Sequence, residues 1–228
     1  MTKNNDQANR RVNKTTNNIM CGRYVVKNPV TKTNKLVKSA IQVEDTENYN
    51  AHPYQKLPVI KKYKNGNTLE ALTWGLIPSW AKDKDFKALI NARLETIDEK
   101  VSFKKLIKNN RCVAVADGFY EWKRDEKEKT PHYFTRKDTN TIFFAGIYED
   151  DQFCLITEEA KDNINKIHHR QPVIINQTDV NRYLNLELQG SNFLKECKKP
   201  DLLFYEVSKD VNKPTNNSIS LIQEIKYN

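Results

Sequence analysis

The sequence predicts an α+β fold with a twisted, barrel-like β-sheet at its centre and helices at its periphery. Stretches rich in β-branched and aromatic residues recur along the chain, and several follow one another directly. Segments with helical spacing lie between them, without the regular βαβ alternation of a parallel doubly wound sheet. The chain has 228 residues and no internal repeat, so one domain is the simplest organisation.

Segments of strand character account for much of the chain after residue 20. Gly, Pro or polar runs separate one such segment from the next. Two prolines also bracket an extended stretch at 49–60. The segments are CGRYVV at 21–26, TLEALTWGLIPSW at 68–80, RCVAVADGFYEWKR at 111–124, TIFFAGIYED at 141–150, QFCLITEEA at 152–160 and DLLFYEVSKDV at 201–211.

The predicted helices are short and lie among these strands. The helix at 162–175 is expected to stop at the step from Gln171 to Pro172, because a proline disfavours helix in the residue before it. A charged run at 123–130 indicates a solvated hairpin loop. The segments with helical spacing are VSFKKLIKNN at 101–110, DNINKIHHRQPVII at 162–175, DVNRYLNLELQ at 179–189 and SNFLKECKK at 191–199.

The charge balance and the cysteines narrow the class of protein. The formal net charge of +9 suits a polyanionic partner, although a lysine-rich surface on a protein without such a partner gives the same balance. No apolar run approaches the roughly 18 residues of a membrane span, and no apolar core of a secretion signal is present. The four cysteines have no close-set pair that would indicate a disulfide framework or a zinc site. We therefore expect a cytoplasmic protein without metal or cofactor.

Residues 1–19 are predicted to form a disordered extension. They are nearly all polar, Asn-rich and basic, so they cannot bury enough surface to offset the entropy lost on ordering. The sequence Met20-Cys21-Gly22-Arg23 then looks like the start of a protein, although it lies inside one. Cys21 is either a buried residue of a strand or the first residue of a mature chain. The second reading requires translation from Met20 with removal of that Met, or a protease that removes the tail.

Eight motifs in register resemble the SOS-response-associated peptidase (SRAP) family of abasic-site processing proteins. The similarity covers almost everything from residue 20 onward, in the family's order. Two positions depart from the pattern: His52 replaces a small residue, and Gln171 replaces a Met. The motifs are Met20-Cys21-Gly22-Arg23-Tyr24, Tyr49-Asn50 with Pro53 and Gln55, LPVI at 57–60, WGLIPSWAKD at 74–83, INARLET at 90–96, DGFYEW at 117–122, IHHRQPVII at 167–175 and VSKDVNKPTNN at 207–217.

The resemblance implies a single SRAP-like domain over residues 20–228 that senses abasic sites in single-stranded DNA and bonds to them covalently. An abasic deoxyribose opens to an aldehyde. An α-amine, with a pKa of about 7.7–8.0, is a better nucleophile at neutral pH than a lysine amine, with a pKa of about 10.4. A terminal Cys21 could form an imine through its amine and then a thiazolidine ring through its sulfur. An internal Cys21 could not, because its nitrogen is part of an amide.

Three further residues are predicted to be catalytic on the same resemblance. Glu121, surrounded by aromatic residues, is expected to be the acid–base group for imine formation. Asn91 is expected to orient the terminal amine or the sugar. His168 is expected to be a second proton carrier that aids ring opening or strand scission by β-elimination, whereas the neighbouring His169 is expected to be exposed.

The predicted DNA contacts combine cations for phosphates with aromatic side chains for bases. One of Trp74 and Trp80 is expected to be a core residue. The expected partner is single-stranded DNA that contains abasic sites, and the protein is expected to bind it as a monomer. Lys82 and Lys84 could add diffuse attraction that falls with salt. The predicted DNA-binding residues are Arg23, Asn50, Pro53, Trp74, Trp80, Arg93 and Arg170.

Two other functions fit the same sequence. A thiol peptidase could use Cys21, Glu121 and His168 to remove the extension before Cys21. A simple nucleic-acid-binding module would rely on the basic charge alone, and its binding would be reversible and indifferent to abasic sites.

Overall fold

The computed structural model describes residues 21–64, 66–81, 83, 85–124 and 128–227. The predicted extension at 1–19, Met20, Lys82, Lys84 and part of the predicted hairpin loop lie outside the described residues. Fourteen strands are described: β1 (Arg23–Lys27), β2 (Ser39–Ile41), β3 (Glu47–Ala51), β4 (Lys56–Tyr63), β5 (Gly66–Trp74), β6 (Asn91–Arg93), β7 (Arg111–Ala116), β8 (Gly118–Arg124), β9 (Lys129–Arg136), β10 (Ile142–Glu149), β11 (Gln152–Glu159), β12 (Arg170–Pro172), β13 (Ile174–Ile175) and β14 (Leu202–Glu206).

The described helices are short. None of them is long and apolar enough to cross a membrane. The α-helices are α1 (Pro29–Thr33), α2 (Leu106–Asn109), α3 (Gln177–Leu184) and α4 (Asn192–Glu196), and 3-10 turns lie at Asp162–Lys166, Lys209–Asn212 and Ile219–Ile222.

The strands form two sheets. The smaller sheet has five strands in the order β14-β9-β8-β1-β3. The larger sheet has the order β12-β11-β10-β7-β4-β5-β2, with β13 beside β10 and β6 beside β11. A short parallel pairing of β11 with β5, at Gln152–Thr73 and Phe153–Trp74, brings β5, β4, β7, β10 and β11 into a ring. Because this closure is only two residue pairs long, the sheet is partly ring-like and not a true barrel.

An aromatic core lies between the two sheets. Tyr24 and Phe119 come from the smaller sheet, and Trp74 and Phe144 come from the larger one. The Tyr24 ring packs against Trp74 and Phe144, with ring centroids 5.2 and 5.6 Å apart. Full burial of one such side chain contributes about 1.5–3 kcal/mol. This core therefore fixes β1, which begins two residues after Cys21, against the larger sheet.

A second core lies on the other face of the larger sheet and is covered by helices. Tyr183 of α3 and Phe193 of α4 pack there with buried residues of β7 and β10, including Val113 and Phe143. The molecule is thus layered as small sheet, large sheet and helices, with one core in each gap. The prediction of one α+β domain around a twisted, partly ring-like sheet is confirmed, although strand content exceeds helix content.

The predicted helix at 162–175 is wrong over most of its length. Only Asp162–Lys166 is helical, as a 3-10 turn, and Arg170–Pro172 instead forms β12 along the edge of β11. Ladder pairing with β11 outweighs the local helical spacing there. The antiparallel pair of β8 and β9 confirms the predicted hairpin. The sequence patterns missed α1 and several strands, among them β6 and β9.

Gly118, the first residue of β8, provides a test of the packing between β8 and β9. A Cβ added at Gly118 would lie 2.5 Å from the carbonyl oxygen of Phe134 and would also overlap the Tyr133 ring. We expect Gly118→Ala to lower the free energy of unfolding by about 1–3 kcal/mol, because backbone must move to admit the methyl group. Chemical denaturation measures the change.

Gly66→Ala is the matched control. A Cβ there meets only the flexible side chain of Lys38, which can move aside. Equal destabilisation by the two substitutions would show that the close approach at Gly118 is not what makes glycine necessary.

Candidate functional site

Cys21 and Glu121 meet where β1 lies beside β8. In that pair Arg23 is opposite Tyr120, so the residues that precede β1 run past Glu121. The backbone N–H of Cys21 donates a hydrogen bond to Glu121 Oε1 at 2.7 Å. Both residues are buried, with exposed fractions of 3% and 2%. The main-chain nitrogen of Cys21 and a buried carboxylate are therefore in direct contact.

His168 joins this pair from the segment that precedes β12. Its Nδ1 lies 3.8 Å from Glu121 Oε2 and 3.2 Å from both the backbone nitrogen and the carbonyl oxygen of Arg170. The position of the ring proton decides which of these groups the nitrogen bonds. The His169 ring lies beside the His168 ring, with ring centroids 4.6 Å apart. His169 is exposed, as predicted. A second proton-carrying group thus lies beside the Glu121 carboxylate.

The thiol of Cys21 is held in its neutral form. Burial raises the pKa of Cys21 well above its ordinary value, and the charge of Glu121 and a hydrogen bond to its carboxylate raise it further. The positive charge of Arg170 offsets part of this shift. Both the nitrogen and the sulfur of Cys21 therefore contact the same carboxylate.

Arg170 is occupied by an internal ion pair. Its guanidinium donates to both carboxylate oxygens of Glu95 at 2.8 and 2.9 Å and to the carbonyl of Thr157 at 2.8 Å. Burial raises the pKa of Glu95 and is the largest single effect. The hydrogen bond and charge of Arg170, together with backbone hydrogen bonds, outweigh it in sum and hold that pKa below the ordinary value. The structure thus places Arg170, predicted to contact phosphate, inside the protein. Sequence reasoning missed Glu95 because its partner is 75 residues away.

Asn91 and Arg93 lie on β6, which pairs in parallel with β11. Asn91 is half-buried opposite Leu155, and Arg93 is exposed opposite Thr157. Thr157 also contacts Arg170, so β11 connects β6 to the charged cluster. Of the predicted phosphate contacts, Arg93 is the one that the structure leaves exposed to solvent.

Trp74 and Trp80 occupy different environments. Trp74 is fully buried between Tyr24 and Phe153, and its Nε1 donates to the carbonyl of Ile90, just before β6. It supports the strand that carries Asn91 and offers no surface to a base. Trp80 is 51% exposed and packs edge-on against Phe86. One of the two Trp residues is therefore in the core, as expected.

Arg23 and Asn50 hold the loop at 211–216 against the smaller sheet. The Arg23 guanidinium donates to Asn50 Oδ1 at 2.7 Å and to the Val211 carbonyl at 2.8 Å. The buried Asn50 amide donates to the carbonyls of Val211, Lys213 and Asn216. Both side chains are thus engaged in this network, and Asn50 is not at the surface.

Pro53 lies in the turn after β3, next to an exposed tyrosine that sequence reasoning missed. Tyr54 is 70% exposed, has a positive φ of 73° and donates its N–H to the Trp74 carbonyl at 2.8 Å. A tyrosine in this backbone region is unusual, and it is hard to detect from sequence because neither Gly nor Asn, the residues that most often adopt a positive φ, occupies the position. Among the described residues, no group of three His, Cys, Asp or Glu side chains is arranged to hold a metal ion.

Comparison with known proteins gives consistent results for family and fold. The family model for SOS response associated peptidase (SRAP) matches residues 20–214. The abasic site processing protein YoqW of Bacillus subtilis is 38% identical over 190 residues, which cover 77% of this chain and 85% of YoqW. The abasic site processing protein YedK of Escherichia coli is 27% identical over 227 residues, covering 90% of this chain and all of YedK.

The fold is also found in solved structures. A crystal structure of a protein from Bacteroides thetaiotaomicron superposes with a TM-score of 0.77 at 24% identity and covers 90% of this chain and 100% of that one. This likeness concerns the fold alone.

The contact of Glu121 with the Cys21 thiol gives a pH-dependent prediction. A raised pKa means that the thiol loses its proton at a higher pH than usual, and Glu121 contributes both a charge and an acceptor to that shift. We expect Glu121→Gln to lower the pKa of Cys21, although burial still keeps it above the ordinary value. The ultraviolet absorbance of the thiolate, titrated with pH against a Cys21→Ser protein, measures the midpoint.

Glu159→Gln, which removes an exposed carboxylate from the same molecule, is the control and should leave the midpoint in place. An unchanged midpoint in Glu121→Gln would contradict the contact.

Proposed function

Because the chain belongs to the SRAP family, we propose that it processes abasic sites in single-stranded DNA and bonds to them covalently through a terminal Cys21. Two relatives from Bacillus subtilis, whose sequences match this chain over 85% and 83% of their own length, are named abasic site processing proteins. The observation that carries the proposal is the 2.7 Å contact between the Cys21 nitrogen and the buried Glu121 carboxylate. An acid–base group thus touches the atom that would attack the aldehyde.

The first chemical step forms an imine. The unprotonated α-amine of Cys21 bonds to the aldehyde carbon of the opened sugar, and the aldehyde oxygen takes up a proton. Loss of that oxygen as water then leaves a carbon–nitrogen double bond. Glu121 carries two protons in turn from the nitrogen to that oxygen, one to form the hydroxyl and one to release it as water. The carboxyl thus ends the step in the state in which it began.

The second step closes the ring. The Cys21 sulfur bonds to the imine carbon, the electrons of the double bond move to nitrogen, and the thiol proton is transferred to that nitrogen through Glu121. One water is released overall, and neither an oxidant nor a reductant is consumed. The neutral thiol favours this order, because a proton is available where the nitrogen needs it.

His168 supplies the second proton transfer in this proposal. It lies beside Glu121 but belongs to a different segment, so it can act on the sugar from another side. We assign it to opening of the sugar ring or to β-elimination at the neighbouring phosphate. Asn91 is assigned to orientation of the amine or the sugar by hydrogen bonding.

DNA capture is assigned to the surface around this cluster. Arg93 provides an exposed cation, and Pro53 and Trp80 provide partly exposed apolar surface for bases. The net charge of +9 adds general attraction to phosphates. Arg170 and Asn50 are assigned to holding the site together, because their polar groups are already bonded within the protein. The protein is proposed to act as a monomer in the cytoplasm, on exposed single strands.

The proposal requires a free nitrogen at Cys21, and hence a working chain without residues 1–20. One route is translation from Met20 followed by removal of that Met. A second route is self-cleavage, for which the positive φ of 44° at Cys21 is a specific observation in favour. A strained residue next to Glu121 and His168 is a suitable place for the Cys21 thiol to attack the carbonyl carbon of the preceding residue. The peptide bond then breaks with release of the Cys21 amine, and water hydrolyses the resulting thioester and regenerates the thiol. Intact mass of the protein from its native source distinguishes the full 228 residues from a chain about twenty residues shorter.

Variants of Cys21 test the two-step chemistry. Protein that begins at Cys21 is mixed with single-stranded DNA containing an abasic site, heated in detergent and separated on a gel. We expect a heat-stable shifted band from the unaltered protein. Cys21→Ser keeps the amine but lacks the thiol, so its band should survive only after borohydride reduces the imine.

Full-length protein whose intact mass shows that the extension is still attached is the matched control. Its Cys21 nitrogen is an amide, so it should give no heat-stable band. A band of equal strength from Cys21→Ser without reduction would overturn the role of sulfur. Binding that is always reversible and indifferent to abasic sites would favour a simple binding module.

Glu121→Gln and Arg93→Ala separate chemistry from capture. With DNA at saturation, Glu121→Gln should slow crosslink formation by roughly 10²-fold or more, because the proton carrier is lost, while DNA affinity stays unchanged. Arg93→Ala should weaken DNA binding and reduce the slope of log affinity against log salt by about 0.7, with little change in the saturated rate. Rate and affinity are measured separately on the same oligonucleotide.

Lys104→Ala removes an exposed cation elsewhere and serves as the control for Arg93. If Arg93→Ala lowered the crosslinking rate at saturating DNA, Arg93 would not act in DNA capture alone. If Glu121→Gln lowered only the affinity for DNA, Glu121 would not be the proton carrier.

A further inference from the structure

An open groove lies between the edges of the two sheets, away from the Cys21 cluster. One wall is β12, at the end of the larger sheet, and the other is β14, at the end of the smaller sheet. The groove has a volume of about 780 Å³. Polar and apolar residues both line it, and Ile174, Leu202 and Phe204 are among the apolar ones.

β14, which lines this groove, is the last strand of the smaller sheet and pairs with β9 along one edge. Asp201 and Val207 bond to β9 through the Lys137 N–H and the Pro131 carbonyl, so odd-numbered residues of β14 face β9. Antiparallel pairing alternates, and Leu202, Phe204 and Glu206 therefore point their N–H and C=O groups outward. Only the Glu206 carbonyl has an outward backbone partner within the described residues, the N–H of Ile225. The edge is thus open at Leu202 and Phe204.

The opposite wall does not offer the same pairing. Val173 and His169 bond to β11, so Arg170 and Pro172 face away from it. The Arg170 N–H contacts His168, and Pro172 has no N–H to donate. A strand that entered the groove would therefore pair with β14 and not with β12.

The rim of the groove is basic. Four lysines line it, against the carboxylates of Glu158 and Asp201. Glu158 is already bonded to the Gln171 amide. Within the part of the chain that the structure describes, the amines of Lys137, Lys161 and Lys198 have no acidic partner within ion-pair distance. The lysines are Lys137, Lys161, Lys198 and Lys199.

We propose that this groove binds an extended acidic peptide segment of a partner protein, which adds to β14 as a further strand. The open N–H and C=O groups favour a peptide over a nucleic acid, because a peptide backbone satisfies both in register. The lysines favour acidic side chains on one face of the peptide, and the apolar lining residues favour aliphatic side chains on the other. This site is independent of the proposed chemistry at Cys21.

The backbone part of the proposal is tested with a pair of substitutions at Leu202. The probe is a fluorescently labelled peptide that alternates aspartate with valine, and binding is followed by anisotropy. Leu202→Ala removes the side chain but keeps the outward N–H, whereas Leu202→Pro removes both. Edge strands tolerate proline where the N–H faces away from the sheet. We expect Leu202→Pro to bind the peptide at least tenfold more weakly than Leu202→Ala.

The charge part is tested by reversing the rim. The triple substitution Lys137→Glu, Lys161→Glu and Lys198→Glu should weaken peptide binding more than tenfold. Its matched control, with Glu in place of the exposed Lys100, Lys104 and Lys108, has the same net charge but leaves the groove unchanged and should bind normally. Thermal unfolding and crosslinking to abasic DNA verify that every variant is folded.

Three results would overturn the proposal. The acidic peptide fails to bind, or a peptide with lysine in place of aspartate binds equally well. The third result is that an oligonucleotide without abasic sites displaces the acidic peptide. In that case the oligonucleotide fails to bind the rim triple variant but binds the two Leu202 variants equally. This last result would assign the groove to nucleic acid.

Discussion

The contact between the Cys21 nitrogen and Glu121 depends on how firmly β1 is held. The strand lies inside the smaller sheet, with β8 on one side and β3 on the other. Tyr24, three residues after Cys21, is buried among rings of the larger sheet. A residue just before so constrained a strand has little freedom. The fold thus holds Cys21, which directly precedes β1, against a carboxylate from the neighbouring strand.

Around this contact, the buried Glu121 and Arg170 and the more exposed Glu95 carry charges of alternating sign. Glu121 raises the pKa of the Cys21 thiol, and the charge of Arg170 opposes that effect. Arg170 is in turn neutralised by Glu95, which lies nearer to solvent. A buried guanidinium without such a partner would cost several kcal/mol, so the ion pair with Glu95 allows Arg170 to be buried near the thiol. This internal pairing explains why a motif arginine is not at the surface.

Local patterns predicted most strands and the fold class, because β-branched and aromatic runs are local properties of the chain. They failed where pairing with another strand, and not the local pattern, decides the structure. The segment at 170–172 has helical spacing, yet the edge of β11 makes it a strand. Trp74 and Trp80 belong to one motif, but Trp74 ends a strand that faces the core and Trp80 follows in a turn. The family resemblance supplied Cys21, Glu121 and His168. No local sequence pattern indicates the role of Glu95, because its ion pair with Arg170 forms only in three dimensions.

The ribbon of β11 and β12 separates two environments because successive side chains of a strand point to opposite faces. Arg170 turns toward Thr157 and Glu95, on the side of the Cys21 cluster. Its neighbour Gln171 turns toward Glu158 and lines the basic groove. The second face opens into the groove between the ends of the two sheets. A peptide in the groove would therefore contact the residue next to Arg170 without entering the site itself, so one short ribbon can serve covalent chemistry on one face and partner binding on the other.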